Sequence, residues 1–227
     1  MVKRFYAGSC AASKTARGFT LIEMLVSIAI IAIMTTIVIQ NLGTAQQGQQ
    51  LITAARVIAG DIRSQQASAL TAQNIPTCSN GSKNITCALS VISCVPVGSC
   101  KPFPPYAVGL AFKSGVAQTR YALFADVDSS SRDYLDTGAG EEYLMHDLAG
   151  AGAPNVVVSS FTLTPTVTPT PTEVDVAFDR QSGQAHITCP GAGCVGTTLL
   201  TINLKQTQSG ATSAVDFNPL TGRASFQ

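Results

Sequence analysis

The longest apolar stretch of the chain lies close to its N-terminus. Residues 19–39 form a run of 21 residues that reads FTLIEMLVSIAIIAIMTTIVI, with Glu23 as the single charged side chain and no glycine or proline. As an α-helix, this run would extend about 31 Å, which matches the hydrocarbon thickness of a bilayer. A core helix of a soluble domain keeps a polar stripe, which this run lacks. The pattern therefore predicts a membrane-spanning helix.

A second apolar pattern follows, this time with helical spacing and a polar side. Its apolar positions are Leu51, Ala55, Ile58, Ile62 and Leu70. Such a stripe is typical of an amphipathic helix that packs against a sheet. Because no proline occurs before Pro76, we expect a single helix from about Thr20 to Ala72, in which Gly43 offers a place for a kink or local melting.

The rest of the chain, residues 73–227, alternates short β-prone runs with turn residues, which is typical of an antiparallel sheet. A long helix followed by a series of strands indicates an α+β fold, with a helical segment at 19–72 and a β-rich globular domain at 73–227. The predicted strands cover residues 88–95, 106–113, 120–126, 155–163, 173–178, 185–189, 198–205, 214–217 and 223–226.

Two segments of this domain resemble each other. Residues 174–187 and 214–226 both read as a strand, a polar turn that ends in Ser-Gly or Thr-Gly, and a second strand. We expect two hairpins in which the glycine supplies a positive φ. The Pro/Thr tract at 163–172 cannot form a central strand, and we expect an extended surface segment there.

Charge is distributed unevenly along the chain. Residues 1–18 carry four basic side chains and no acid, whereas residues 19–227 carry ten basic and 13 acidic side chains, a formal charge of −3. The positive-inside rule places the N-terminus in the cytoplasm and the domain outside. Without a cluster of cations in the exported part, nucleic acid is not expected as a partner.

Six of the seven cysteines lie in the exported part, where disulfides are favoured over metal binding. Six cysteines allow 15 connectivities. Local pairing is the first hypothesis, because each bond would close a loop that contains glycine or proline. The expected bonds are Cys78–Cys87, Cys94–Cys100 and Cys189–Cys194. A zinc site is the less favoured alternative, since no Cys-x2-Cys pair occurs.

The run from Arg17 to Glu23, RGFTLIE, resembles the class III signal of type IV pilins and type II secretion pseudopilins. This resemblance implies that residues 1–18 are a leader that a prepilin peptidase removes after Gly18. It also implies N-methylation of the new first residue, Phe19. Glu23 then stands at the fifth mature position, where the family carries its glutamate.

Glu23 is also unusual on physical grounds, because a carboxylate inside an apolar run needs a partner. The resemblance suggests the α-amino group of Phe19 on a neighbouring subunit, a pair that would set the register between subunits. The simpler alternative is a side chain that reaches the lipid headgroups. In many proteins that carry this class III signal, a proline stands at the position that Gln40 occupies in this chain.

The closing segment NPLTGR at 218–223 is similar to the C-terminal hairpin of GspH/FimT-like minor pseudopilins. The resemblance implies a non-enzymatic minor pilin or pseudopilin of a type IV pilus or a type II secretion system. Such a subunit waits in the inner membrane lipid as a single-pass protein and then joins other pilin subunits in a pilus or pseudopilus. No cofactor is implied.

Calcium is the one exception to the statement that no cofactor is implied, because an acidic segment lies at residues 126–142. Asp126, Asp128 and Ser130 match the first three ligand offsets of a calcium loop, but later positions do not. Some pseudopilins bind calcium in a similar region, which makes Asp126, Asp128, Asp133 and Asp136 candidate ligands. A solvated acidic loop is the favoured alternative.

Two other classes of function remain open. One is a DNA-uptake minor pilin, although the C-terminal tail offers only Arg223 as a cation. The other is an exported enzyme on a signal anchor, with His146 beside Asp147, or His186 near Cys189, as candidate catalytic groups. No hydrolase or metalloprotease motif supports an enzyme.

Overall fold

The computed structural model describes residues 19–80, 83–87, 100–127, 142–190, 193–194 and 196–227. The predicted strand at 88–95 lies outside these residues, as do Gly18, Cys94, Asp128, Asp133 and Asp136. The chain divides into two compact units between Gly43 and Thr44.

A single long helix opens the described chain. Helix α1 runs over Leu21–Leu70, 50 residues, without interruption. Gly43 lies inside this helix. The helix ends in a Schellman motif, because the amides of Gln73 and Ala72 donate to the carbonyls of Ser68 and Ala69. Ala72 takes the left-handed conformation, with φ of 50°.

Twelve strands follow in the described part of the chain. Their bounds are β1 Ile75–Asn80, β2 Lys83–Thr86, β3 Lys101–Phe103, β4 Ala107–Lys113, β5 Arg120–Asp126, β6 Glu142–Asp147, β7 Val156–Thr164, β8 Glu173–Asp179, β9 Ala185–Thr188, β10 Leu199–Gln206, β11 Thr212–Asn218 and β12 Arg223–Phe226. They form three antiparallel sheets with the strand orders β2-β1-β3, β6-β5-β4-β8-β9 and β12-β11-β10-β7. The predicted α+β fold is confirmed.

Eight predicted strands are present as β4, β5 and β7 to β12, with ends within two residues of the predicted ones. Strands β1, β2, β3 and β6 were not predicted. They are short, and they are rich in proline or polar side chains. Neighbouring strands, rather than their own sequence, hold them in place. Strand β7 ends at Thr164, directly before Pro165, the first proline of the Pro/Thr tract, as expected from the loss of amide donors at proline.

The core of the second unit lies between the larger sheets and the second half of α1. Ala54, Ala55, Ile58 and Ile62 of the helix are completely buried. They belong to one cluster with the inward-facing residues of both larger sheets. This is the amphipathic packing that the sequence predicts. Leu70, the last residue of the predicted stripe, is 53% exposed instead.

The two similar segments form the hairpins β8–β9 and β11–β12, as predicted. Gly183 and Gly222 occupy their turns with φ of 62° and 64°. Both glycines also lie against the helix: a Cβ on Gly183 would come within 2.7 Å of Leu70, and one on Gly222 within 2.1 Å of Gln66. Glycine is therefore needed twice at each turn, for its backbone conformation and for its lack of a side chain.

The disulfide pattern corrects two of the expected bonds. Cys87 is bonded to Cys100, so neither Cys78–Cys87 nor Cys94–Cys100 forms. Cys189 is bonded to Cys194, the pair expected from local spacing. Cys78 is also disulfide-bonded. Because the other four described cysteines bond to one another, its partner lies outside the described residues.

Candidate assembly and processing site

The predicted processing point lies just before helix α1. Thr20 is the N-cap, because its carbonyl accepts the first helical hydrogen bond, from the amide of Met24 at 3.2 Å. Phe19 precedes the cap and is 81% exposed. Gly18, on the other side of the predicted cleaved bond, is outside the described residues.

Glu23 completes a capping box with Thr20. The Glu23 carboxylate accepts hydrogen bonds at Oε2 from the backbone amide and the hydroxyl of Thr20, both at 2.9 Å. In return, the Glu23 amide donates to Thr20 Oγ1 at 3.3 Å. This reciprocal arrangement satisfies donors at the helix start that would otherwise lack partners. The sequence carried the signal, since Thr-x-x-Glu before an apolar run is the usual pattern of a capping box.

Both bonds from Thr20 go to the same carboxylate oxygen. Among the described residues, none donates to Glu23 Oε1. An ionised carboxylate offers about four acceptor positions over its two oxygens. Glu23 can therefore cap its own helix and accept a donor from outside the chain at the same time. Neither the pairing with a neighbouring Phe19 nor the contact with lipid headgroups is tested by these bonds.

Beyond the capping box, the first half of α1 presents an apolar surface. Its large apolar side chains are all at least half exposed, for example Leu21 at 78% and Ile31 at 64%. The helix is long and apolar enough to cross a membrane, and none of its most apolar window is buried. Exposed apolar surface of this extent is typical of an interaction with lipid or with another protein.

The few hydroxyl groups in this half are satisfied within the helix. Ser27, Thr35 and Thr36 donate to the carbonyls four residues earlier, over 2.7, 2.7 and 2.9 Å. Their side chains therefore need no water, and the surface they share with the isoleucines is effectively apolar. This arrangement suits a helix that is surrounded by lipid or by other apolar helices.

The calcium hypothesis receives no test from the described residues. Asp126 ends strand β5 and is completely buried. The other three candidate ligands lie outside the described residues. No group of three metal-ligating side chains occurs within the described ranges. Calcium stays a prediction from the sequence.

The side chains that the enzyme hypothesis names as candidate catalytic groups are engaged in other interactions. His146 and Asp147 are neighbours on strand β6 and face opposite sides of it. Asp147 binds the guanidinium of Arg120 at 3.0 Å. His186 Nε2 lies 3.0 Å from Asp179 Oδ2, and Cys189 is held in a disulfide. None of these pairs combines a nucleophile with a base.

His146 instead belongs to a cluster that the sequence did not reveal. Its Nδ1 contacts Asp61 of the helix, and Tyr121 donates its hydroxyl to the same carboxylate. Burial, together with the Asp61 carboxylate, raises the pKa of Tyr121 well above its ordinary value. The cluster therefore fastens strands β5 and β6 to α1. Its members are 60 and 85 residues apart in sequence, which is why no local pattern shows them.

Comparison with known proteins gives one match. Searches of curated proteins and of solved structures found no similar protein. Residues 13–39, however, match the family model of the prokaryotic N-terminal methylation motif. The match covers the junction between Gly18 and Phe19, the capping box and the apolar run. A motif of this kind is typical of type IV pilin-like proteins.

Proposed function

We propose that this chain is a structural subunit of a type IV pilus or a type II secretion pseudopilus, and specifically a minor pilin or pseudopilin. The observation that carries the proposal is the methylation motif at residues 13–39, which includes the start of an exposed apolar helix. A prepilin peptidase would cut after Gly18 on the cytoplasmic side, and Phe19 would be N-methylated. The β-rich domain would lie outside the cytoplasm.

Packing of apolar helices would drive assembly. Before assembly, the first half of α1 would be surrounded by inner-membrane lipid. In the filament, it would be surrounded by the same segment of other subunits. Moving an apolar helix from lipid to a helical bundle gains little from hydrophobicity, so side-chain packing and polar pairs would set the register.

Glu23 would supply the polar pair. Before cleavage, the nitrogen of Phe19 is an uncharged amide. Cleavage turns it into a cationic amine, which can donate to a carboxylate of a neighbouring subunit. Glu23 supports this role because Oε2 serves the capping box while Oε1 has no donor among the described residues. The charge pair would exist only after processing, so precursors would not compete for filament sites.

Processing can be tested by intact-protein and peptide mass spectrometry. In a host with a prepilin peptidase, we expect the mature chain to begin at N-methyl-Phe19. In a host without the peptidase, the chain should keep residues 1–18. A chain that stays uncut in the competent host, with no filament incorporation, would overturn the proposal.

The charge pair needs a separate experiment. Glu23→Gln keeps an acceptor for Thr20 but removes the charge. We expect it to be processed normally and to enter filaments at least tenfold less than the parent. Thr20→Val is the matched variant, since it removes the cap and keeps the carboxylate, and it should enter filaments within about twofold of the parent. Equal incorporation of Glu23→Gln and the parent would show that the charge is not used.

A further inference from the structure

A cavity of about 660 Å³ lies in the second unit, between one end of the five-stranded sheet and one end of the four-stranded sheet. Residues 182–188 of the β8–β9 hairpin form one wall, and residues 219–222 of the β11–β12 turn form another. Cys194, Gly196 and Thr197, which follow β9, also line the cavity. Gln66 of α1 lines it from the helix. The volume falls in the range of about 300–1,000 Å³ typical of ligand clefts.

The first wall is a sheet edge. Strand β9 is the last strand of its sheet, with β8 on one side only. The amide of Asp179 donates to the carbonyl of Gln184 at 2.9 Å, which fixes the alternation of the antiparallel ladder. His186 and Thr188 are then the residues of β9 that bond to β8. The backbone groups of Ala185 and Ile187 point away from β8, towards the open side.

The other edges beside this region are covered. On β12, the carbonyl of Ala224 accepts a hydrogen bond from Arg63 Nη2 at 2.6 Å. On β7, Val158 donates to the carbonyl of Gln118 and accepts from the amide of Gly115. Within the described ranges, the outward groups of Ala185 and Ile187 have no such partner. Proteins normally block edges of this kind with lysine, proline or a bulge, and β9, which reads AHIT, has none of these.

The charge around the cavity indicates what could occupy it. A smaller adjoining cavity shares Gln66, Thr221 and Gly222 with it and is lined by Arg63 and Arg223. No aspartate or glutamate is among the described residues that line the two cavities. An occupant that carries acidic side chains is therefore complementary in charge to these walls.

We propose that this cavity binds an extended, acidic peptide segment of another protein, which adds as a sixth strand beside β9. Its backbone pairs with Ala185 and Ile187, and its acidic side chains face Arg63 and Arg223. Four residues of β9 extend about 13 Å, so a segment of four to six residues suffices. Strand addition at a free edge is a common mode of peptide recognition. The inference does not depend on the proposed filament function.

Fluorescence anisotropy on the full chain in detergent micelles tests the proposal. The probe is a labelled hexapeptide of alternating Glu and Val, acetylated and amidated at its ends. We expect saturable binding of this peptide. The same peptide with a fully N-methylated backbone should bind at least tenfold more weakly, because it cannot pair as a strand. The Lys-Val peptide should also bind at least tenfold more weakly.

Variants of the chain locate the site. Ile187→Pro removes an outward amide without removing a bond to β8, and it should abolish saturable binding. Arg223→Gln should weaken binding about twofold to fivefold, as expected for one partly solvated ion pair. Lys205→Gln, an exposed cation on β10, is the matched control and should leave binding unchanged.

Three results would overturn the proposal. The first is equal binding of the N-methylated peptide, which would exclude strand pairing. The second is saturable binding of a thymidine hexanucleotide without binding of the peptide, which would indicate a nucleic-acid surface. The third is no binding of the Glu-Val peptide. The N-methylated probe keeps the test decisive even if Ile187→Pro does not fold.

Discussion

The two halves of helix α1 carry similar side chains in opposite environments. Ile31, in the first half, is 64% exposed, whereas Ile58, in the second half, is completely buried. The second half has its partners within the chain, in the two larger sheets. The first half has no such cover in the described part of the chain. One continuous helix thus serves two purposes, and the difference lies in what surrounds each half.

This contrast explains why the polar residues of the two halves are arranged differently. In the first half, Ser27, Thr35 and Thr36 turn their hydroxyls to their own backbone. In the second half, Asp61 and Arg63 reach other elements, namely Tyr121 and the carbonyl of Ala224. The first half is suited to apolar surroundings that offer no hydrogen bonds, and the second half anchors a folded domain.

Replacing one isoleucine by aspartate in each half of α1 should give the largest effects and should distinguish the roles of the two halves. Ile58→Asp buries a carboxylate in the core, and we expect a loss of more than about 4 kcal/mol in the free energy of unfolding. Ile31→Asp should leave the domain stability unchanged and reduce membrane insertion by about 2.5–3.5 kcal/mol. Urea unfolding followed by near-ultraviolet circular dichroism measures the first effect, and a membrane-fractionation assay measures the second. Loss of domain stability in both variants would contradict the division.

The next largest effect should come from the anchor in the second half. Tyr121→Phe removes a hydrogen bond to the Asp61 carboxylate, and we expect a loss of about 1.5–3 kcal/mol at neutral pH. Tyr106→Phe, at a 54% exposed position, is the control and should change little.

The pH dependence of the free energy of unfolding should also differ between Tyr121→Phe and the parent. The folded pKa of Tyr121 lies above its unfolded value because of burial and the Asp61 carboxylate. Its contribution to stability is therefore complete below the unfolded pKa of about 10 and declines as the pH rises above that value. Tyr121→Phe should flatten the alkaline decline in unfolding free energy. An unchanged alkaline slope would argue against the buried, protonated phenol.

A smaller effect is expected at the start of the first half. Thr20→Val removes the N-cap, which should cost about 1 kcal/mol of local helix stability. Amide hydrogen exchange over residues 21–24 should accelerate, while exchange in the second half should not change. Thr35→Val is the control, because its hydroxyl bonds to a carbonyl that already lies within the helix. Equal exchange in both variants would show that the capping box is not formed.

The smallest effect should come from Asp147. The amide of Ala149 donates to its carboxylate and, with the guanidinium of Arg120 beside it, holds the pKa of Asp147 below its usual range. A folded pKa below the unfolded one stabilises the fold above the unfolded pKa of about 4, and this is lost as the pH falls through the folded value. Asp147→Asn should therefore slightly reduce the loss of stability on acidification, measured by urea unfolding between pH 5 and 2. A steeper acid loss in the variant would contradict this assignment.

A feature of the structure could be predicted from the sequence when it depends only on residues that are near one another in the chain. Strand β5, a continuous apolar run between Arg120 and Asp126, and strand β12, which alternates, were predicted with their observed bounds. Strand β6, which reads EYLMHD, has neither pattern and owes its place to pairing with β5. The capping box could have been predicted from Thr20 and Glu23, three residues apart.

The disulfides show the limit of local reasoning. Sequence proximity favoured Cys78–Cys87, yet Cys87 bonds to Cys100, 13 residues away. Pairing of β1 with β2 and β3 sets Cys78 opposite Ile85 and brings Ile75 opposite Phe103. Cys87 directly follows β2 and Cys100 directly precedes β3, the two neighbours of β1 in its sheet, and spacing along the chain does not contain this arrangement.

The sequence by itself determined the apolar helix and the α+β class, because these follow from hydrophobic period over neighbouring residues. It also contains the N-terminal methylation motif as one local run of residues. Only the tertiary structure decided the Asp61–Tyr121–His146 anchor, the partner of Cys87 and the place of β9 at the end of its sheet. Each of these depends on which distant segments become neighbours, and that choice belongs to sheet register and helix packing. The two hairpin glycines belong to both groups: their turns were predictable, but their contact with Gln66 and Leu70 was not.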